Sequence, residues 1–234
     1  MGANVVGITY YPVKGCAGVE LTEATVTPQG LLDDRAWEVV DEEGEPRWQG
    51  ADPRLAVIAP LLGDGGLTLR APETEPLTVT DSGPEADAWL TRVLGRPSRL
   101  VRASAGNASR LHVVSRASLD ALNRRIAARG AHRLPMNRFR PNLVVDGWTT
   151  PHTEDDTPRL TVAGVELALT ELTVRCAVTM VDQSTGRRAG PEPLRTLAGH
   201  RRADGAGGVV FGAYFAVRRP GRIAVGDEVT AESR

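Results

Sequence analysis

Lysine is almost missing from these 234 residues: Lys14 is the sole one among 28 basic residues, and the other 27 are arginines. Cysteine is scarce as well, with only Cys16 and Cys176. Two thiols exclude a cysteine-rich zinc cluster and a disulfide framework, and at about 160 positions apart they read as free thiols of a reducing compartment, the cytoplasm. An excess of charge of either sign is absent too, with 28 basic against 29 acidic residues. That excludes the general field that gathers nucleic acid or an anionic membrane. No apolar run approaches the roughly 18 residues of a membrane span, and the opening MGANVVGITYYPVKG has no leader pattern. There is no Walker loop, no G-x-S-x-G elbow and no H-E-x-x-H. The histidines at 112, 132, 152 and 200 are far apart, none has a partner at helical metal-ligand spacing, and they read as surface or structural residues. At 41% hydrophobic the chain can bury the core of one large domain or two small ones.

Most of the sequence is short strands divided by turn residues. VVGITYYPV and VELTEATVT flank the tight KGCAG turn, RAWEVVDEEGEPRWQ reads as a hairpin with Glu43-Gly44 at its tip, and RLAVIAPLL, GLTLRA and PLTVT follow as strands. A first helix is expected in SGPEADAWLTRVLG, with Ser82 and Glu85 at capping-box spacing, an apolar face of Trp89, Leu90, Val93 and Leu94, and Gly95 as the stop. A second is expected in SRASLDALNRRIAARG, with Leu119, Leu122 and Ile126 on one side. A loss of periodicity near residues 103 to 110 marks a domain boundary. Beyond it come the strand PNLVVDG, a hairpin across Ala163-Gly164, a strand carrying Cys176, a short helix in EPLRTLAGHR and further strands. The fold class is mainly β with an α+β admixture, closed or partly closed, with a few covering helices.

Three stretches carry chemistry. In TVRCAVTMVDQSTG a thiol follows Arg175 directly. Cys176 is either packing or a soft ligand and nucleophile, favoured as thiolate by the neighbouring guanidinium and suited to a metal that brings its own remaining ligands. In NRFRPNLVVDG, Arg138 and Arg140 alternate around Phe139, with Pro141 expected to hold the preceding residue extended. Two guanidiniums on one face, with Asn142, would offer bidentate contacts to phosphate or carboxylate. In LLDDRAW, Arg35 enters a strand before Trp37. Each arginine taken singly is equally a salt-bridge partner, but together with Lys14 they would make an anion pocket.

YPVKGCAGV, LLDDRAW, VVSRASLDALN, FRPNLVVDG, RCAVTMVDQSTG, EPLRTLAGHR, FGAYFAV and PGRIAVGDEV resemble, in order and spacing, the MOSC-domain proteins that carry a MOSC N-terminal β-barrel domain, the group of the mitochondrial amidoxime reducing component and its bacterial relatives. The resemblance implies an N-terminal β-barrel-like domain over 1–103 and a MOSC β-barrel over 104–234. It also implies a molybdenum cofactor, with Cys176 of the R-C-x-x-T-x-V-D motif as the protein ligand to the metal. Lys14, Arg35, Ser115, Arg140, Asn142 and Arg175 would clamp the pterin phosphate and ring edges, with Arg138 joining them in the anion pocket. Gly15 stands where many relatives have serine and offers only its backbone N–H, while Met180 replaces a common threonine. The reaction implied is reductive removal of oxygen from an N-hydroxylated small molecule. Electrons would come from a separate transfer protein, since no iron–sulfur cysteines are present. Asp182 is either a proton relay to the leaving oxygen or a turn-forming aspartate. The same motifs fit a cofactor carrier or sulfur-transfer module holding a persulfide. A hydrolase nucleophile at Cys176 would need a histidine base, and none is near in sequence.

Overall fold

The computed structural model of the chain describes residues 2–103, 110–202 and 207–232. The boundary expected near residues 103 to 110 falls on 104–109, outside the described residues. Seven strands close into a barrel in the order Leu143–Asp146, Arg110–Ser115, Val209–Arg219, Val165–Arg175, Arg159–Val162, Glu228–Ala231 and Ala3–Tyr10, the last pairing back to the first. Six of the seven junctions are antiparallel, and only Arg110–Ser115 against Leu143–Asp146 runs parallel. A parallel pair needs a crossover, and the helix Arg116–Ala128 supplies it. The closing strand comes from the N-terminal end of the chain. Ala3, Val5, Ile8 and Tyr10 point inward, and the break in alternation after Val5 coincides with a register shift between Val5 and Gly7. Inside, Val5 and Ile8 meet Val113, Leu143, Leu167, Phe215 and Val229. N-terminal residues pair with the C-terminal region a second time, where Gly221–Ala224 lies antiparallel to Glu23–Thr27.

A second core gathers Val13, Cys16, Trp37, Leu55, Leu67 and Leu100 beneath the helix Pro84–Leu94, whose Trp89, Leu90 and Val93 face inward as its apolar periodicity predicts. That helix is capped differently from the expectation. Gly83 is the N-cap, Pro84 takes the first helical position, and no side chain caps it. Ser82 is therefore one position too early for a capping box, and its N–H bonds Asp81 Oδ1 at 2.8 Å instead. Gly95 at φ 73 ends the helix as expected. Around the second core lie two three-stranded sheets, Val13–Lys14 with Trp37–Val40 and Arg99–Arg102, and Ala59–Gly63 with Gly66–Ala71 and Thr74–Val79. RLAVIAPLL is a strand only in its second half. Pro53 opens a 3-10 turn over Pro53–Val57, because its fixed φ suits a helical first turn. The Ala163-Gly164 hairpin is present, with Val162 opposite Val165 and both turn residues at positive φ. A third cluster of Val114, Leu122, Ile126, Phe139, Leu197 and Phe211 seats the helix Arg116–Ala128 on the barrel.

Candidate functional site

Where the two larger cores adjoin, polar side chains from both halves of the chain meet in one network. Tyr11 is its centre. Its backbone N–H donates to Asp34 Oδ1 at 2.7 Å, and its buried hydroxyl donates to the Pro141 carbonyl at 3.1 Å. The Arg140 and Arg35 guanidiniums lie 4.2 Å and 5.0 Å from its ring centroid. Burial pushes the Tyr11 hydroxyl up to about 12, so it stays a neutral donor. Asp34, buried, accepts from Arg35 and from Asn142 Nδ2 at 3.1 Å. Burial works against the Arg35 charge, but Asp34 together with Tyr11 and Tyr214 outweighs it and the guanidinium pKa rises.

Both Arg35 and Arg140 hold positive φ, at 55° and 54°. Left-handed backbone at a non-glycine residue carries strain of about 1 kcal/mol or more and persists only where the surroundings enforce it. For Arg140 this overturns the extended conformation expected ahead of Pro141. Its side chain is fixed over Tyr11 and donates to Gln183 Oε1 at 3.2 Å, while its carbonyl faces His112 Nδ1 at 3.5 Å. Nor do Arg138 and Arg140 share a strand face. Met136–Phe139 is a 3-10 turn that sends Arg138 towards Asp182, at 3.2 Å, and Arg140 towards Tyr11.

The thiol sits at a rim. Val165–Arg175 delivers Cys176 at its end, exposed, with a 3-10 turn over Ala177–Met180 beginning at once. The Cys176 carbonyl accepts from the N–H and hydroxyl of Thr179 at 3.1 Å and 3.0 Å, and the turn packs against Met136–Phe139. Arg175 donates to the Phe139 carbonyl at 2.9 Å and faces His112 Nε2 at 3.5 Å. His112 is buried, and burial followed by the Arg175 charge holds its pKa well below the usual value. The neutral tautomer protonated on Nδ1 then serves both neighbours, donating to Arg140 and accepting from Arg175.

The other residues singled out in the sequence divide into two groups. Asn142 is fully engaged inside the network, donating to Thr9 O and Asp34 and accepting from His112 N–H. Ser115 is wholly buried as the N-cap of Arg116–Ala128, accepting from Ser118 N–H at 3.1 Å while its own N–H donates to Glu154. These two organise backbone and have no free polar atom. Lys14 pairs with Glu38 at 3.3 Å and remains over a third exposed. Gly15, at φ 81, takes a conformation glycine adopts freely, and its carbonyl accepts from Gln49 at 2.7 Å. Asp182 accepts from the hydroxyls and N–H groups of Ser184 and Thr185 through Oδ1 and from Arg138 through Oδ2. The Ser184 hydroxyl, ahead of its other donors, holds the Asp182 carboxyl below the usual range.

Sequence reasoning missed Tyr11, Asp34, Gln49, His112 and Gln183. Gln49 and Gln183 exchange amide bonds at 3.1 Å and 3.0 Å and join the N-terminal half to the C-terminal half beside Arg140. The one local signal was His112, a polar residue in the apolar run LHVVS. A cavity of about 690 Å³ has Tyr11, Arg140 and Gln183 in its wall, but Cys176 does not line it.

The charge balance is lopsided. Arg35, Arg138, Arg140 and Arg175 face only Asp34 and Asp182, and neither Arg140 nor Arg175 has an acidic partner among the described residues. Burial pushes the guanidinium pKa of Arg138, Arg140 and Arg175 down, as it does for positive charge with too little counter-charge. The Nε and Nη1 of Arg138 and the Nε of Arg175 are buried without any partner. Such a site suits a bound anion, and the exposed thiol beside it suits a soft metal.

The MOSC domain model matches residues 101–230, and the MOSC N-terminal beta barrel domain model matches residues 2–81. Mitochondrial amidoxime-reducing component 1 of Mus musculus is 32% identical over 97% of this chain and 81% of its own length, and that of Homo sapiens is 30% identical over 97% and 82%. Molybdenum cofactor sulfurase of Danio rerio is 32% identical over 88% of this chain, which spans only 31% of that longer protein. These relatives support a molybdenum-cofactor-related function. The chain belongs to the MOSC-domain family, among the members that pair the MOSC domain with the MOSC N-terminal β-barrel domain.

Proposed function

We propose that the chain is a molybdenum-dependent oxidoreductase that removes oxygen from N-hydroxylated compounds, with Cys176 as its protein ligand to the metal and electrons supplied by a separate transfer protein. The observation that carries the reading is the exposed Cys176 thiol next to Arg175, a guanidinium without a carboxylate among the described residues, with Arg140, likewise without one, on the other side of His112. Arg140, Arg175 and Arg138 would meet the negative charge of a phosphate-bearing pterin, and the Cys176 thiolate would serve as ligand to its metal. The fit extends to the orphaned Nε and Nη1 of Arg138, which are donors waiting for oxygen acceptors.

When bound, the cofactor supplies the two-electron chemistry of breaking an N–O bond. The protein's own part is placement. Arg140 is locked over Tyr11 and against Gln183, so its charge is held in place before any ligand arrives. Arg175 is fixed by the Phe139 carbonyl and neutral His112. Asp182, kept ionised and saturated with donors, orients Arg138 rather than giving up a proton. The rim position of Cys176 leaves the ligand open to a small-molecule substrate.

The test is molybdenum and pterin per chain after expression in a host that makes the cofactor, for wild type, Cys176→Ala and Arg140→Met. Near-stoichiometric metal in wild type, lost on removing the thiol and reduced on removing the guanidinium, together with turnover of an N-hydroxylated substrate, is the expected result. Weakly held, transferable cofactor or a persulfide on Cys176, without turnover, would replace this reading with the carrier or sulfur-transfer role.

A further inference from the structure

Behind the arginine site, residues 152–155 form a second cluster that the reading above does not use. A ring nitrogen of His152 and one carboxylate oxygen each from Glu154 and Asp155 lie within 4.8 Å of one another. Each residue is anchored through one group. The His152 backbone N–H donates to Ser118 Oγ at 2.8 Å, Glu154 Oε1 accepts from Ser115 N–H at 3.1 Å, and Asp155 Oδ2 is paired with Arg201. Each also leaves a ligand-type atom bare: His152 Nδ1, Glu154 Oε2 and Asp155 Oδ1 are buried without a partner. Glu154 is 0% exposed and Asp155 8%. Arg201 neutralises Asp155, but no salt bridge among the described residues reaches Glu154. A wholly buried carboxylate with one backbone N–H for company costs several kcal/mol unless a proton or a cation neutralises it.

We propose that His152, Glu154 and Asp155 bind one divalent first-row metal ion, zinc for choice, at a structural site separate from Cys176 and independent of the function proposed above. One imidazole nitrogen and two carboxylate oxygens form a borderline-hard donor set. It favours zinc over calcium or magnesium, which take oxygen alone, and over copper(I), which takes thiolate. Donors about 2.1 Å from a tetrahedral zinc stand about 3.4 Å apart, so the three must draw in by side-chain rotation. Arg201 and Arg125 act on His152 as positive neighbours and oppose a dication, which works against tight binding.

The position gives the ion a purpose. His152 meets Phe211 edge-on at 6.1 Å, Phe211 packs on Phe139 at 4.2 Å, and Phe139 lies between Arg138 and Arg140. Through Ser115 and Ser118 the cluster also holds the start of the helix Arg116–Ala128. A cation here would stiffen the back wall of the anion site without touching its ligands.

Zinc titration of chelator-stripped Cys176→Ala protein tests this, since that background removes the exposed thiol as a competing ligand. Calorimetry is expected to give one zinc per chain, with a melting temperature that rises with zinc concentration. Glu154→Gln and His152→Asn are each expected to weaken binding at least tenfold. Asparagine tolerates the positive φ of residue 152, at 66°, so the second variant decides the question if the first does not fold. Cobalt(II) in place of zinc is expected to bind without a thiolate charge-transfer band. No zinc-dependent heat or melting shift, or shifts unchanged in His152→Asn, would overturn the proposal whatever the molybdenum result.

Discussion

Replacing Asp182 by asparagine should move stability and anion affinity in opposite directions. Among the described residues Asp182 Oδ2 is the only acidic partner of Arg138, 3.2 Å from Nη2, and the Arg138 side chain is 4% exposed against 32% for Asp182. An amide of the same shape keeps an oxygen for the Ser184 and Thr185 donors but turns an N–H or an uncharged oxygen towards the guanidinium. Breaking a fully buried pair from one side costs about 3–5 kcal/mol, and an exposed pair is worth under about 1. One deeply buried partner and one third-exposed partner place Asp182→Asn at about 1–2 kcal/mol. That is about 2–8 °C in melting temperature for a chain of this size. Urea unfolding of cofactor-free protein measures the first quantity. Pyrophosphate, as a plain anion probe, should then protect the variant more than wild type, because Arg138 has lost its competing carboxylate. The pH dependence follows from the depressed carboxyl pKa of Asp182, set first by the Ser184 hydroxyl. A depressed carboxyl stabilises the fold above the unfolded value, about 4, and that stabilisation is lost as pH falls through the lower folded value. The gap between wild type and variant should therefore be flat from neutral pH to about pH 5 and close only in acid. A stability change below about 0.5 kcal/mol, a gap that widens in acid, or weaker pyrophosphate protection would refute the ion-pair reasoning. In turnover, a rate profile across pH that loses an acid limb in Asp182→Asn would restore the proton-relay role.

Two further outcomes are expected. Iodoacetamide at pH 8 should label one thiol in the folded chain and two in urea, because Cys176 is exposed while Cys16 is fully buried, with its thiol pushed up to about 12 by that burial; peptide mapping by mass spectrometry reads which. Gly212→Ala should cost about 2–4 kcal/mol in urea unfolding, since a Cβ would stand 2.6 Å from His112 Nε2 and 2.8 Å from the Val113 carbonyl on a backbone at φ 75°.

What could be read from the sequence was whatever neighbours in the chain decide. The apolar faces of Pro84–Leu94 and Arg116–Ala128 and the tight Ala163-Gly164 turn are set by periodicity and turn chemistry over a few residues. The capping box at Ser82 failed by a single position, because Pro84 suits the first turn of a helix better than it suits a cap. Arg140 was expected to be extended for a sound local reason, the proline after it, and tertiary contacts with Tyr11, His112 and Gln183 overrode that preference. Cys176 and the arginines came forward from the chemistry of three short stretches, and the family resemblance then implied their roles. The residues that hold them still did not, because Tyr11, Asp34, Gln49 and Gln183 matter only once distant segments are brought together. Their sequence separations, 134 residues between the two glutamines, are beyond any local pattern.

The strand Ala3–Tyr10 lies between Glu228–Ala231 and Leu143–Asp146 in the closed barrel. Its hydrogen bonds draw on residues 19–21, 143–146 and 228–229, so its ladder is complete only when widely separated parts of the sequence have met. Without that closing strand the strands from residues 110 to 219 form an open sheet with two bare edges, and Val5 and Ile8 have no core to enter. Such a fold has high contact order and closes slowly. It cannot be assembled half by half, and it is most prone to aggregate while that strand is still unpaired.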